Sequence, residues 1–139
     1  MNNLAAIQQD WEPRKPLAIL VVDDDPSVSA FLRAALVGMG HRVTSVSNYA
    51  AAVEKLNDYG NAIDAIILDL QLPDGDGRSV ADVALTRSPV PTVVFVSGCS
   101  DALGKVASSH PGRAVLPKPF SMADLETALA LWNTKPVMP

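Results

Sequence analysis

Short apolar segments, each ended by a polar residue, recur along this chain of 139 residues. Leu17 to Val22 and Ala65 to Leu68 are continuous apolar runs, which are typical of strands covered on both faces. Thr92 to Val96 and Ala114 to Leu116 are similar, and Arg42 to Val46 is a more polar strand that suits a sheet edge. Segments with apolar residues at helical spacing separate these runs. The alternation predicts an α/β fold, a doubly wound five-stranded parallel sheet with right-handed crossovers and helices on both faces.

The intervening segments predict five helices, two of which carry capping signals. The helices are Asp25 to Met39, Asn48 to Tyr59, Ser79 to Thr86, Asp101 to Ser109 and a last one that begins at Ser121. Asp25 precedes a proline, as an N-cap does, and Ser121-x-x-Asp124 resembles a capping box. Five apolar residues on these helices are expected in the core: Phe31, Met122, Leu125, Leu129 and Trp132.

The composition bounds the class of partner and the compartment. One domain is expected over residues 17–132, with an N-terminal arm (1–16) and a short tail (133–139). A net charge of −4 argues against binding to nucleic acid or to an anionic membrane, and favours a protein or small-molecule partner. The single cysteine, Cys99, excludes an internal disulfide and indicates a reducing compartment. Because no apolar run approaches the ~18 residues of a membrane span, a cytoplasmic location is expected.

Polar side chains follow four of the predicted strands, at the point where each strand ends. They are Asp23 and Asp24, Asp69, Ser97 and Lys118. Because the carboxyl ends of parallel strands line one edge of a sheet, these groups are expected to meet in one pocket. Three carboxylates in one place repel each other unless a cation offsets their charge. Oxygen ligands without a nearby cysteine or histidine favour a hard ion, so the pattern predicts a Mg²⁺ site.

Together, these features resemble the receiver domain of two-component response regulators, from about Leu17 to Trp132. The resemblance is carried by Asp23-Asp24, the segment Leu68-Asp69-Leu70-Gln71-Leu72-Pro73-Asp74-Gly75-Asp76-Gly77, Ser97-Gly98 and Lys118-Pro119-Phe120. Each motif alone is weak, but four in this order, one or two βα repeats apart, are specific. The family resemblance implies a flavodoxin-like strand order, 2-1-3-4-5, and a cis bond between Lys118 and Pro119.

The resemblance also implies a role for each site residue. Asp69 would be the phosphoacceptor. Ser97 would donate a hydrogen bond to the phosphoryl oxygens, and Lys118 would pair first with Asp69 and then with the phosphoryl group. The ligands of Mg²⁺ would be Asp23 through water, Asp24, Asp69 and the backbone carbonyl of Gln71. Such a domain signals rather than acting as an enzyme, although it can catalyse its own phosphorylation and dephosphorylation.

The same resemblance implies the partners. The phosphoryl donor would be a sensor histidine kinase or a histidine phosphotransfer protein, and the output would pass through contacts with a downstream protein or through a homodimer. Val115 stands where many receivers have an aromatic residue, three positions before the lysine. Only seven residues follow Trp132, so a stand-alone receiver without an effector domain is expected.

Other functions remain open at this point. Val22-Asp23-Asp24-Asp25 also resembles the first motif of haloacid dehalogenase-like phosphatases, with Asp23 as nucleophile and Asp25 as acid/base. That assignment leaves Asp69 without a role. A flavin-binding protein is disfavoured because the first turn would present carboxylates to a phosphate. A receiver fold that serves only as a constitutive interaction module is the third alternative.

Overall fold

The fold is taken from a computed structural model that describes residues 16–109 and 114–133, with side chains described as far as residue 129. The five strands of the main sheet are β1 (Ala18–Val22), β2 (Arg42–Val46), β3 (Ala65–Asp69), β4 (Thr92–Ser97) and β5 (Ala114–Pro117). The helices are α1 (Pro26–Gly38), α2 (Tyr49–Asn57), α3 (Gly77–Ala84), α4 (Ser100–Ser109) and α5 (Met122–Asn133). Gln71–Leu72 and Gly75–Asp76 form a separate two-stranded antiparallel ribbon between β3 and α3.

All neighbouring strands of the main sheet are parallel, in the order β2-β1-β3-β4-β5. The register aligns Val22 with Leu68, and Asp69 with Val96. The carboxyl ends of β1, β3 and β4 therefore lie side by side. The predicted doubly wound sheet and its strand order are confirmed, and β2 lies at one edge, as its polar sequence indicated.

Two apolar layers cover the sheet, one on each face. Leu20 and Val22 face one layer, whose helical residues come from α2, α3 and α4, and Ile19 and Val21 face the other, formed with α1 and α5. Successive residues of a strand point to opposite faces, so a continuous apolar strand serves both layers. The side chain of Phe95 in β4 is completely buried in the first layer, beneath the helices that cover this face of the sheet.

Capping residues fix where three of the helices begin. Asp25 accepts a hydrogen bond from the amide of Ser27 at 2.8 Å, which confirms it as the N-cap of α1. Ser121 and Asp124 accept hydrogen bonds from each other's backbone N–H groups at 3.1 and 2.9 Å, so the capping box is also confirmed. Helix α3 begins at Gly77 rather than near Ser79, because Asp76 caps it.

Two of the five predicted core residues lie at the surface. Phe31 and Met122 are each 39% exposed. The buried stripe of α1 runs through Leu32, Ala35 and Leu36, which leaves Phe31 beside it, where its ring contacts that of Phe120. Met122 is the first residue of α5 and precedes its buried stripe.

Leu125 and Leu129 are buried as predicted. The predictions for Trp132 and for the two ends of the chain are not tested. The side chain of Trp132, the arm before residue 16 and the tail beyond residue 133 lie outside the described residues. Of the helices within the described ranges, none is both long and apolar enough to cross a membrane.

Candidate functional site

The carboxyl edge of the sheet brings three aspartates together. Asp23 follows β1, Asp24 comes next, and Asp69 is the last residue of β3. One carboxylate oxygen from each residue lies within 4.8 Å of the oxygens from the other two. Asp23 and Asp69 are buried, at 3% and 5% exposure, whereas Asp24 is exposed. The strand register produces this convergence, because β1 and β3 are direct neighbours in the sheet.

Lys118 reaches into this cluster from the loop after β5. Its Nζ lies 2.8 Å from Asp23 Oδ2 and 3.1 Å from Asp69 Oδ2, and the peptide bond to Pro119 is cis, as the family resemblance implied. Burial by itself lowers the pKa of Lys118, but hydrogen bonds to the two carboxylates outweigh this effect and raise it. The family resemblance implied the pairing with Asp69 but not the pairing with Asp23.

Backbone amides hold the other oxygen of each buried carboxylate. Asp69 Oδ1 accepts a hydrogen bond from the Gln71 amide, and Asp23 Oδ1 accepts one from the Asp25 amide, both at 2.9 Å. Burial raises the pKa of Asp69, and the negative charge of Asp23 adds to this. The hydrogen bonds from Gln71 and Lys118 offset the increase only in part. The Asp69 carboxylate is therefore fixed in orientation, but its neighbours only partly stabilise its negative charge.

Ser97 and Gln71 flank the cluster. Ser97 ends β4 and is completely buried, and its Oγ accepts a hydrogen bond from the Cys99 amide at 3.0 Å. The side chain of Gln71 is exposed, and its backbone begins the antiparallel ribbon. The structure thus places every predicted site residue at one edge of the sheet, either as the last residue of a strand or shortly after one.

Gly77 allows α3 to begin directly against the end of β3. A Cβ atom at this position would lie 2.2 Å from the backbone oxygen of Asp69, closer than two atoms can approach. The Gly77 amide also donates to the Leu70 carbonyl at 3.0 Å. A glycine is required here for close approach of two backbone segments, since its φ is not positive.

The donor set of the cluster fits a magnesium ion. All the side chains that could bind a metal here are carboxylates. Their three negative charges are opposed by the one positive charge of Lys118, which leaves the cluster with a formal charge of −2. Buried carboxylates with uncompensated charge favour an additional cation. Asp24 is exposed and free to complete a ligand set with water, which Mg²⁺ retains in most protein sites.

Comparison with characterised proteins gives one consistent family. Residues 19–130 match the response regulator receiver domain family. The response regulator receiver protein CpdR of Brucella abortus is 32% identical over 108 residues, which cover 77% of this chain and 88% of CpdR. The regulatory protein KdpE of Escherichia coli is 36% identical over 112 residues, 80% of this chain and 48% of KdpE. The chain thus spans about half the length of KdpE, and 23% of the Escherichia coli regulator NtrC.

Solved structures agree with this assignment. A response regulator receiver protein from Sinorhizobium medicae superposes with a TM-score of 0.76 and 34% identity, covering 86% of this chain and 97% of that one. The receiver domain of the Pseudomonas aeruginosa sensor kinase PA1611 gives a TM-score of 0.70 and 28% identity over 87% of this chain and all of the other. That domain holds a magnesium ion in its active-site cleft. The phosphatase alternative is therefore wrong, and this chain belongs to the receiver domain family of response regulators.

Proposed function

We propose that this receiver accepts a phosphoryl group on Asp69, in a Mg²⁺-dependent reaction with a phosphohistidine of a sensor histidine kinase or a phosphotransfer protein. The observation that carries the proposal is the arrangement of the Asp69 carboxylate. It lies at the end of β3 with one oxygen held by the Gln71 amide and the other by Lys118. Such preorganisation leaves the carboxylate oriented before a donor arrives.

In the transfer step, a carboxylate oxygen of Asp69 attacks phosphorus and the phosphorus–nitrogen bond of the donor histidine breaks. The imidazole leaves with the electron pair and can take up a proton from solvent. Lys118 and the hydroxyl of Ser97 would then stabilise the transferred oxygens. Magnesium held by Asp23, Asp24, Asp69 and the Gln71 carbonyl would supply positive charge against those oxygens.

An apolar groove beside the site supports a protein donor rather than a small molecule alone. The groove has a volume of about 400 Å³ and is lined by Val28, Phe31, Pro119, Phe120 and Lys118, among others. Lys118 therefore lines both this groove and the acidic cluster. Because exposed aromatic residues are enriched in protein interfaces, a donor docked here would bring its phosphohistidine to Asp69.

The output is proposed to pass through α4, β5 and α5. Helix α4 packs on β4 and β5 through two buried residues, Leu103 and Val106. Val115 in β5 packs beside the same core layer and has no ring that could change its orientation. A shift of the backbone of α4 after phosphorylation would alter this face and thereby its contacts with a downstream protein.

The decisive test is intact-protein mass spectrometry after incubation with acetyl phosphate and Mg²⁺. One phosphoryl adduct is expected, and it should be absent from Asp69→Asn. Asp82→Asn makes the same substitution at an exposed position on α3, and this variant should retain the adduct. Labelling that survives in Asp69→Asn and disappears in Asp23→Asn would contradict the proposal. A parent protein that takes up no phosphoryl group would favour a constitutive interaction module.

A further inference from the structure

A carboxylate from the loop after β3 caps the first turn of α2. Asp74 Oδ1 accepts a hydrogen bond from the Tyr49 amide at 2.6 Å, and Oδ2 accepts one from the Ala50 amide at 3.1 Å. The N-cap of the same helix, Asn48, accepts the Ala51 amide at 2.8 Å. The three amides that open α2 are therefore shared between a local cap and an acceptor about 25 residues away.

The negative charge of Asp74 strengthens this contact. The positive end of the α2 dipole faces the carboxylate, and charge-assisted hydrogen bonds are shorter and stronger than neutral ones. The hydrogen bond from the Tyr49 amide correspondingly lowers the pKa of Asp74. The side chain thus remains ionised and bound to α2 throughout the neutral pH range.

Packing at the next residue holds the same two segments together. A Cβ atom at Gly75 would lie 3.0 to 3.1 Å from the Cγ, Cβ and Cδ2 atoms of Tyr49. The loop backbone therefore packs closely on the side chain of the first residue of α2, and a methyl group at Gly75 would require the Tyr49 side chain to shift by a few tenths of an ångström. Two independent contacts, one polar and one steric, join the loop to the helix.

The joined loop also orients the proposed phosphoacceptor. Between Asp69 and Asp74 there are only four residues, and Gln71 pairs with Asp76 across the short ribbon. The Gln71 amide is the donor that holds Asp69 Oδ1. A displacement of the loop at Asp74 would accordingly be transmitted through the ribbon to the orientation of the Asp69 carboxylate.

We propose that Asp74 is a positioning residue for the phosphoryl-transfer site: by binding the first turn of α2, it holds the loop that orients Asp69 and supplies the Gln71 carbonyl. This inference deepens the proposed function and rests on it for its catalytic part. Asp74 itself touches neither the donor nor the metal in this assignment. Its effect should appear in the geometry of the site before any ligand binds.

The test compares Asp74→Ala with Asn48→Ala. Both variants remove an acceptor from the first turn of α2, but only the first one detaches the loop. Amide hydrogen exchange by NMR is measured without metal or phosphodonor, followed by Mg²⁺ affinity from amide shifts and the rate of labelling by acetyl phosphate. In Asp74→Ala, exchange at Gln71 should accelerate about fivefold, and Mg²⁺ affinity and labelling rate should fall about tenfold.

Asn48→Ala should accelerate exchange at Ala51 and leave Gln71 and the Mg²⁺ affinity unchanged. Asp74→Asn retains one acceptor oxygen and should lie between Asp74→Ala and the parent, which also provides a milder variant if Asp74→Ala folds poorly. Equal effects of Asp74→Ala and Asn48→Ala on Gln71, or no effect of either, would overturn the inference and leave Asp74 as a helix cap only. If the parent itself takes no phosphoryl group, the proposed function fails, but the exchange at Gln71 still decides the positioning role.

Discussion

Lys118 lies closer to Asp23 than to Asp69, with Nζ 2.8 Å from Asp23 Oδ2. Asp23 is 2% exposed at its side chain and Lys118 is 20% exposed, so the pair is largely withdrawn from water. The same ammonium lies 3.1 Å from Asp69 Oδ2 and therefore serves two carboxylates at once. The charge that would later contact a phosphoryl group thus also stabilises the unphosphorylated site.

The first prediction concerns the removal of this ammonium. Lys118→Met should lower the free energy of unfolding by about 3 kcal/mol in the absence of metal, because two buried carboxylates lose their partner. Millimolar Mg²⁺ should restore part of the loss. Urea unfolding with and without Mg²⁺ measures both effects. Lys105→Met, at an exposed position on α4, is the control and should change stability by less than about 0.5 kcal/mol.

Much of this architecture could be predicted from the sequence, because apolar periodicity is local and parallel sheets align their carboxyl ends. The topology alone brings to one edge the polar residues at the strand ends, which are Asp23, Asp69, Ser97 and Lys118. Their detailed partners could not be predicted in the same way. The contact of Lys118 with Asp23 depends on the path of a long side chain from β5 to β1.

Contacts between distant segments account for most of what the sequence did not reveal. Arg87 is 8% exposed and donates to the carbonyls of Leu56, Asp58 and Asn61, so it caps the end of α2 and the loop beyond it. In the sequence, Arg87 is a charged residue after a predicted helix, and the residues around it do not indicate these hydrogen bonds. The binding of Asp74 to α2 is equally nonlocal. Such contacts follow from the completed fold and have no periodic signal.

The second prediction follows from the raised pKa of Asp69. In the folded state this carboxyl holds its proton to a higher pH than in the unfolded chain, so its ionisation destabilises the fold as pH rises through the folded pKa. Asp69→Asn removes this destabilising effect, and Lys118 keeps its ion pair with Asp23. Without metal, the variant should therefore be more stable than the parent at pH 7, and the two should converge toward pH 4.

Thermal melting across this pH range, in chelator, measures the difference. Addition of Mg²⁺ should reverse the order at pH 7, because the parent keeps three carboxylates for the ion and the variant keeps two. A parent that is more stable than Asp69→Asn at neutral pH without metal would contradict the argument that Asp69 is incompletely compensated.

The third prediction compares two glycines. Gly77→Ala places a methyl group 2.2 Å from the Asp69 carbonyl oxygen and should destabilise the protein by about 3 kcal/mol, because two backbone segments must separate. Gly104→Ala in α4 meets open space and should stabilise by up to about 1 kcal/mol through helix propensity. Denaturant unfolding of both variants would test this, and an equal response would show that the close approach at Gly77 is unimportant.

The fourth prediction concerns His41, which accepts a hydrogen bond from the Leu17 amide at its Nδ1, at 3.1 Å. Partial burial lowers the pKa of His41, so the unfolded chain binds this proton more readily than the folded one. Stability from this group is complete above the unfolded pKa of about 6.5 and is lost as pH falls. His41→Asn retains an acceptor without a titratable ring. Its melting midpoint should decline less than that of the parent between pH 7 and pH 5.

The last prediction concerns the route from the proposed phosphoacceptor site to α4. The Cys99 amide donates to Ser97 Oγ at 3.0 Å, and the Cys99 carbonyl accepts the Leu103 amide at 3.2 Å, so two hydrogen bonds connect the end of β4 to α4. If the Ser97 hydroxyl turns toward a phosphoryl oxygen, Cys99 must follow or lose its partner. We therefore expect beryllofluoride with Mg²⁺ to shift the amide resonances of residues 99–109 and of Val115.

Ser97→Ala removes the hydroxyl that starts this route and should abolish those shifts, while resonances near Asp69 still respond. Two-dimensional amide spectra of both proteins, with and without beryllofluoride, make the comparison. Shifts restricted to Asp23, Asp24 and Asp69 and their neighbours in the parent would refute the route. Shifts in α4 that persist in Ser97→Ala would instead assign the coupling to another contact, because the variant retains every backbone donor and acceptor of the β4–α4 segment.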